Sequence, residues 1–189
     1  MSRIAALNAA GFVRAYDFSG LGRLVDVGGG HGMLMRTVLD AHPHVQGVVF
    51  DLPSVIEGAR ARLADAGLTS RCQTIAGDFF DAVPAGGDAY VLSWIPHDWD
   101  DQSAVRILAN CRAAMGKAGR LLAIELIIPS DDEREPSPEV DWLVRTTDIE
   151  MLAVVGGRER SAAEYRELYA AAGFELTRIL PLELSPWKP

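Results

Sequence analysis

Residues 24–32 read Leu24-Val25-Asp26-Val27-Gly28-Gly29-Gly30-His31-Gly32, and the amphipathic stretch Met33 to Ala41 follows without a break. An apolar run of strand length, a glycine loop and a helix form, in that order, the opening unit of an α/β sheet whose ligands bind beyond the carboxyl ends of the strands. Gly28, Gly30 and Gly32 let the backbone approach a ligand where a Cβ would collide. The helix behind them turns its first N–H groups toward negative charge, so a carboxylate-bearing ligand suits the loop.

Outward from this loop, short apolar runs alternate with longer amphipathic ones, the pattern of a mostly parallel sheet covered by helices. Strands are expected over 23–27, 46–50, 71–75, 88–93, 120–128 and 175–180. Helices are expected over 33–41, 54–66, 101–115, 140–154 and 162–172, with Gly67, Gly116 and Gly173 as stops. Most of the strands are too apolar to leave a face in water, so the fold class is α/β with helices on both faces of a Rossmann-like sheet. Ile4, Leu7, Ala10 and Ala15 share one face of a helix ahead of the first strand. Residues 1–20 are therefore read as a helix and connector, and 21–189 as one ligand-binding domain. The stretch 129–138, PSDDEREPSP, reads as an exposed acidic loop.

The 189 residues are 49% hydrophobic and 23% charged, which suits a single globular domain. A net charge of −8 opposes nucleic-acid phosphates and anionic lipid, leaving a small molecule as the expected partner. Cys72 and Cys111 lack zinc or disulfide spacing and read as buried thiols of a reducing compartment. His42 and His44 flank Pro43 in a turn without spaced partners, and no metal is expected. With neither a leader pattern nor an apolar run of transmembrane length, the expected location is the cytoplasm.

A nicotinamide dinucleotide is the obvious rival ligand, because G-x-G-x-x-G also ends a strand and opens a helix. Counted from Gly28, however, the sixth position is Met33, and Asp26 lies two residues before the glycines, where it can meet a ligand amino group. This arrangement resembles the D-x-G-x-G-x-G loop of class I methyltransferases. Asp51 ends the second apolar run, where its carboxylate can accept two ribose hydroxyls. Asp78 and Phe79, in Gly77-Asp78-Phe79-Phe80, pair an acceptor for an adenine amino group with a ring to cover the base. Taken singly, Asp51 is equally a turn residue before Pro53, and Phe79 equally core. Three elements at successive strand ends, each matching one part of adenosine, point the same way.

Ser93-Trp94-Ile95-Pro96-His97-Asp98-Trp99 leaves the fourth strand and puts His97 on the ligand side of the sheet. With LVDVGGGHG, VVFDLP, GDFF, WIPHDWDD and GGRERSAAEYRELYAAAGF, the chain resembles, over about residues 12–180, the plant caffeate/flavonoid and bacterial polyketide O-methyltransferase family. The resemblance implies S-adenosylmethionine as cofactor, with a cofactor set of Asp26, Gly28, Gly30, Asp51, Leu52, Asp78, Phe79 and Ser93. Many family members carry lysine at the position of Ser93. His97 would be the general base, Glu125 and Glu159 would hold it, and Trp94, Asp98 and Met151 would line the acceptor pocket. Core packing is the competing reading of Trp94 and Met151.

A phenol with pKa near 10 is mostly protonated at neutral pH, so an imidazole on the hydroxyl is worth roughly 10² to 10⁴ in rate. O-methylation of a phenolic or polyketide-like hydroxyl is thus the expected reaction. An S-adenosylmethionine-binding domain without catalysis, and N- or C-methylation of a small molecule, are the other readings. Family members are homodimers through a helical domain ahead of this region that also closes the acceptor pocket. Neither that domain nor, after residue 180, the family's last strand is expected in this sequence.

Overall fold

The computed structural model describes residues 3–129 and 138–182, and among them the chain runs α1 (Arg3–Ala15), β1 (Arg23–Val27), α2 (Met33–Ala41), β2 (Gln46–Asp51), α3 (Pro53–Asp65), β3 (Cys72–Ala76) and β4 (Ala89–Ser93). A single 3₁₀ turn (Pro96–Asp98) then leads to α4 (Asp101–Ala114), β5 (Arg120–Ile124), β6 (Ile127–Ile128), α5 (Pro138–Val154), β7 (Arg160–Ser161) and α6 (Ala162–Ala171). The main sheet has the order β3-β2-β1-β4-β5, and every pairing in it is parallel. The chain works outward from β1 to β3 and then crosses back to β4. The loops that follow β1 and β4 therefore part in opposite directions and open a crevice at the carboxyl ends of the strands.

Both faces of the sheet are covered, as its apolar strands require. Leu24, Val49 and Val91 point into a core shared with α1, α2 and α3 through Phe12, Met35 and Leu63. Val25, Val27, Tyr90 and Leu92 point the other way, against Ile107 and Cys111 of α4 and Tyr165 and Leu168 of α6. Asp26 falls between two members of the second set and so shares the face of Leu24, a carboxylate set into an apolar layer. Both cysteines are unbridged and buried. No helix among the described residues is long and apolar enough to cross a membrane.

Two strand expectations are corrected. The run 120–128 is two strands: β5 stays with β4 as far as the Ser93–Ile124 pair, the chain breaks at Glu125 and Leu126, and Ile127 and Ile128 pair instead with Arg160 and Ser161. The stretch 175–180 is not a strand. Its side chains are held, Phe174 and Leu176 against one core and Leu180 and Leu182 against the other, while a groove of about 1080 Å³ lies between its backbone and β5. Residues 130–137, most of the expected acidic loop, lie outside the described residues, as do 183–189 beyond the sixth expected strand.

Candidate active site

The glycine loop is shaped by backbone geometry that a side chain would spoil. Gly28, Gly30 and Gly32 have φ of 71°, 57° and 77°, and a Cβ on Gly28 would come within 2.5 Å of Ile95 Cδ1. The Gly28 and Gly29 N–H groups donate to the Phe50 carbonyl at 2.8 and 3.2 Å, tying the loop to the end of β2. Gly30 N–H donates to Asp51 Oδ2 at 2.8 Å and Leu52 N–H to Asp51 Oδ1 at 2.7 Å. Each oxygen of Asp51 is thereby oriented and keeps a lone pair for a ligand. Open space lies above Gly30, where an added Cβ would meet nothing within 4 Å, and Leu52 is exposed beside it.

Asp26 is the anomaly of this half of the site. It is 1% exposed, and among the described residues neither of its carboxylate oxygens has a hydrogen-bond partner. It lies directly under the loop, its Oδ2 2.8 Å from where a Gly29 Cβ would sit. Burial, reinforced by the charge of Asp51, pushes its pKa up to about 7. Asp78 caps the next turn by accepting from Phe80 N–H at 2.8 Å. Phe79 packs edge-on against Trp99 and reaches back to Gly28, and Asn110 of α4 donates to the Phe79 and Phe80 carbonyls. Ser93 ends β4, half-buried.

The second half is a knot of ionisable groups. His97, 3% exposed, sits in the 3₁₀ turn with Nδ1 2.9 Å from Glu159 Oε1 and 4.0 Å from Glu125 Oε2, and with Nε2 3.3 Å from Asp98 Oδ1. Only the Glu159 contact along Nδ1 is a hydrogen bond, so Glu159 fixes the tautomer with its proton on Nδ1 and Nε2 as the basic nitrogen. Glu125 is held elsewhere: its Oε1 accepts from Ile95 N–H at 3.2 Å and its Oε2 from Tyr165 O–H at 3.3 Å. Burial drives Glu125 to about 8, opposed by the nearby His97. Burial alone would lower His97, but the Glu159 hydrogen bond and the charges of Glu125, Glu159 and Asp98 outweigh it and raise its pKa.

Trp94 packs edge-on against His97 with ring centroids 5.1 Å apart, its indole N–H buried without a partner among the described residues. Its φ of 59° is left-handed, a conformation that costs a non-glycine residue of order 1 kcal/mol or more. Met151 is half-buried near the end of α5, and its carbonyl accepts from Val155, Gly156 and Gly157 N–H. The geometry thus gathers His97, Glu125, Glu159, Asp98 and Trp94 into one cluster, and Gly28, Gly30, Asp51 and Phe79 around the loop. Ile95 joins the halves, with its side chain beneath Gly28 and its N–H on Glu125. Sequence reasoning missed Ile95, Asn110, Tyr165 and Arg160. The last could have been suspected from Ser161-Ala162-Ala163-Glu164, a capping box that starts α6 and so leaves Glu159-Arg160 in an extended approach to it.

Comparison with known proteins matches residues 1–175 to the sequence profile of the O-methyltransferase domain. The chain is 45% identical over 169 residues to the phenazine O-methyltransferase of Lysobacter antibioticus, covering 89% of this chain and 48% of that protein. It is 41% identical over 186 residues to the mitomycin biosynthesis 6-O-methyltransferase of Streptomyces lavendulae, covering 98% of this chain and 51% of that protein. The fold is similar, with a TM-score of 0.81 at 42% identity, to an O-methyltransferase of neocarzinostatin biosynthesis solved with S-adenosylhomocysteine and 1,4-dihydroxy-2-naphthoic acid, covering 92% of this chain and 50% of that one. The chain spans about half the length of the curated relatives it matches.

Proposed function

Because the chain belongs to the O-methyltransferase domain family, we propose that it methylates a hydroxyl of a small phenolic or polyketide-like molecule, with S-adenosylmethionine as donor and His97 as general base. The observation that carries this reading is the His97–Glu159 pair, joined through Ile95 to a glycine loop that covers a buried carboxylate without a partner among the described residues.

The residues present fit the cofactor. Asp26 has two buried oxygens without a donor among the described residues, and a ligand amino group would satisfy them. Gly30 would leave room for the chain of the ligand while Gly28 makes room for Ile95 beneath the loop, Asp51 would offer lone pairs to ribose hydroxyls, and Asp78 and Phe79 would take the adenine, with Leu52 and Ser93 beside it. When bound, S-adenosylmethionine supplies an electrophilic methyl group on a sulfonium.

His97 Nε2 takes the proton of the acceptor hydroxyl, and the negative charge of Glu159 beyond Nδ1 stabilises the imidazolium that results. Asp98 lies beside Nε2 and Trp94 packs on the imidazole, so both would border the acceptor, and Met151 is assigned to the same pocket on the family resemblance. Two outcomes test the assignment. His97→Gln should bind S-adenosylhomocysteine with unchanged affinity in calorimetry, while conversion of S-adenosylmethionine in the presence of 1,4-dihydroxy-2-naphthoic acid or hydroxylated phenazines falls roughly 10² to 10⁴-fold. Equal conversion by variant and parent removes His97 from the mechanism.

A further inference from the structure

Arg160 is 0% exposed, the largest of the fully buried side chains among the described residues, and it lies next to Glu159 in sequence. All five of its guanidinium hydrogens are engaged. Nε donates to Asp101 Oδ1 at 3.0 Å, one terminal nitrogen to the Pro96 and Arg158 carbonyls at 2.9 and 3.3 Å, and the other to the Trp99 carbonyl at 2.8 Å and to Asp101 Oδ1 at 2.8 Å. None of these bonds goes to the imidazole. Pro96 and Trp99, however, bracket His97 in the chain, and the carbonyl of His97 itself accepts from Arg158 N–H at 2.9 Å.

Three carbonyls of the turn that carries His97 are thus bonded to residues 158–160, while Glu159 in the middle of that segment holds Nδ1. Gly157 completes the fit, since a Cβ there would overlap the backbone of His97 and Asp98. The far end of the clamp is Asp101, in the first turn of α4, which also receives Arg158 at 2.9 Å. A fully buried arginine is costly unless every donor is satisfied, so a hydrophobic residue of similar size would give the fold at least as much stability. What a hydrophobic residue cannot do is hold three carbonyls and a carboxylate around one rigid plane.

We propose that Arg160, anchored by Asp101, is a positioning residue that sets the distance and angle between His97 and Glu159, and so the basicity and aim of Nε2. The proposal rests on the general-base reading of His97. Displacement of a catalytic group by about 1 Å can cost about 10²-fold in rate.

The test replaces Arg160 by Lys, which keeps the charge and loses the plane, and separately Asp101 by Asn, which keeps an acceptor at the exposed end of the clamp. Each variant is read by the His97 imidazole NMR titration, by S-adenosylhomocysteine calorimetry and by turnover. Arg160→Lys should weaken or broaden the Nδ1–H resonance, move the His97 titration, and lower kcat by about 10²-fold with KM for S-adenosylmethionine within about twofold. Asp101→Asn should shift the same resonance in the same direction by less. Should Arg160→Lys not fold, the Asp101→Asn spectrum decides alone. An unaltered His97 titration and resonance in the folded variants overturns the clamp. Because the imidazole signal is read without an acceptor, it also separates failure of the clamp from failure of the methyltransferase reading, which shows as a titration that moves while the parent itself turns nothing over.

Discussion

Asp26 sits where two requirements conflict. The strand it belongs to is buried on both faces, and the carboxylate there has no protein donor among the described residues. The fold answers by raising its pKa to about 7, so that near neutrality the group is divided between its two forms. On the proposed assignment, a cationic ligand amino group would favour the ionised form, and binding would draw a proton off Asp26. Affinity for S-adenosylhomocysteine is therefore expected to be about tenfold weaker near pH 6 than near pH 8, with protons released on binding. Asp26→Asn should flatten that dependence and weaken binding at the higher pH. Calorimetry in buffers of different ionisation heat counts the protons directly, and equal affinities at the two pH values would remove Asp26 from the ligand. Asp26, Asp51 and the glycines were legible in the sequence because each stands at a strand end, where the period of the pattern changes. Arg160 was less so: the capping box after it places it in an extended approach to α6, but that does not distinguish an arginine with five partners from one in water.

At the level of elements, legibility followed the physics that each signal reports. The expected strand over 175–180 has Leu176 and Leu180 half-buried against the two cores while Ile179 stays exposed, and its backbone makes no ladder, because an apolar run records which side chains can leave water and not where the N–H groups go. The run 120–128 hid a change of partner at Glu125, the residue that then turns inward toward His97. Helix starts fared better, because caps are local. Ser161 accepts from Glu164 N–H while the Glu164 carboxylate accepts from Ser161 N–H at 2.8 Å, and this box fixes where α6 begins and where β7 must end. Ser161→Ala should lower unfolding free energy by about 1 kcal/mol, read as a lower denaturant midpoint at unchanged slope. Binding of S-adenosylhomocysteine should stay within about twofold, since Ser161 lies outside the glycine loop and its neighbours. A midpoint equal to that of the parent would mean that Arg158, which also holds Glu164 at 2.9 Å, suffices to start the helix.

For the molecule as a whole, the perturbed groups act on stability with one sign across the neutral range. Asp26 and Glu125 are raised from 3.8 and 4.5 to about 7 and about 8, so each favours its protonated form in the folded state. What each contributes is fully present below its unfolded value and is lost as pH rises through its folded value. His97, raised from 6.5, behaves the same way and loses its contribution as pH climbs past its folded pKa. The net charge of −8 adds to this, because self-repulsion grows as the remaining groups ionise. Opposing them are Asp100, Asp101 and Glu164, lowered from 3.8, 3.8 and 4.5, whose contributions fade only as pH falls below those ordinary values. The maximum should therefore fall between the two sets, in weakly acid solution. The denaturant midpoint is expected to be higher near pH 6 than near pH 8.5, and Glu125→Gln, which cannot ionise, should reduce that difference. A midpoint that rises toward pH 8.5 would show that Glu125 and Asp26 ionise in the folded protein at ordinary carboxylate values, with water or a cation reaching the two sites that burial closes.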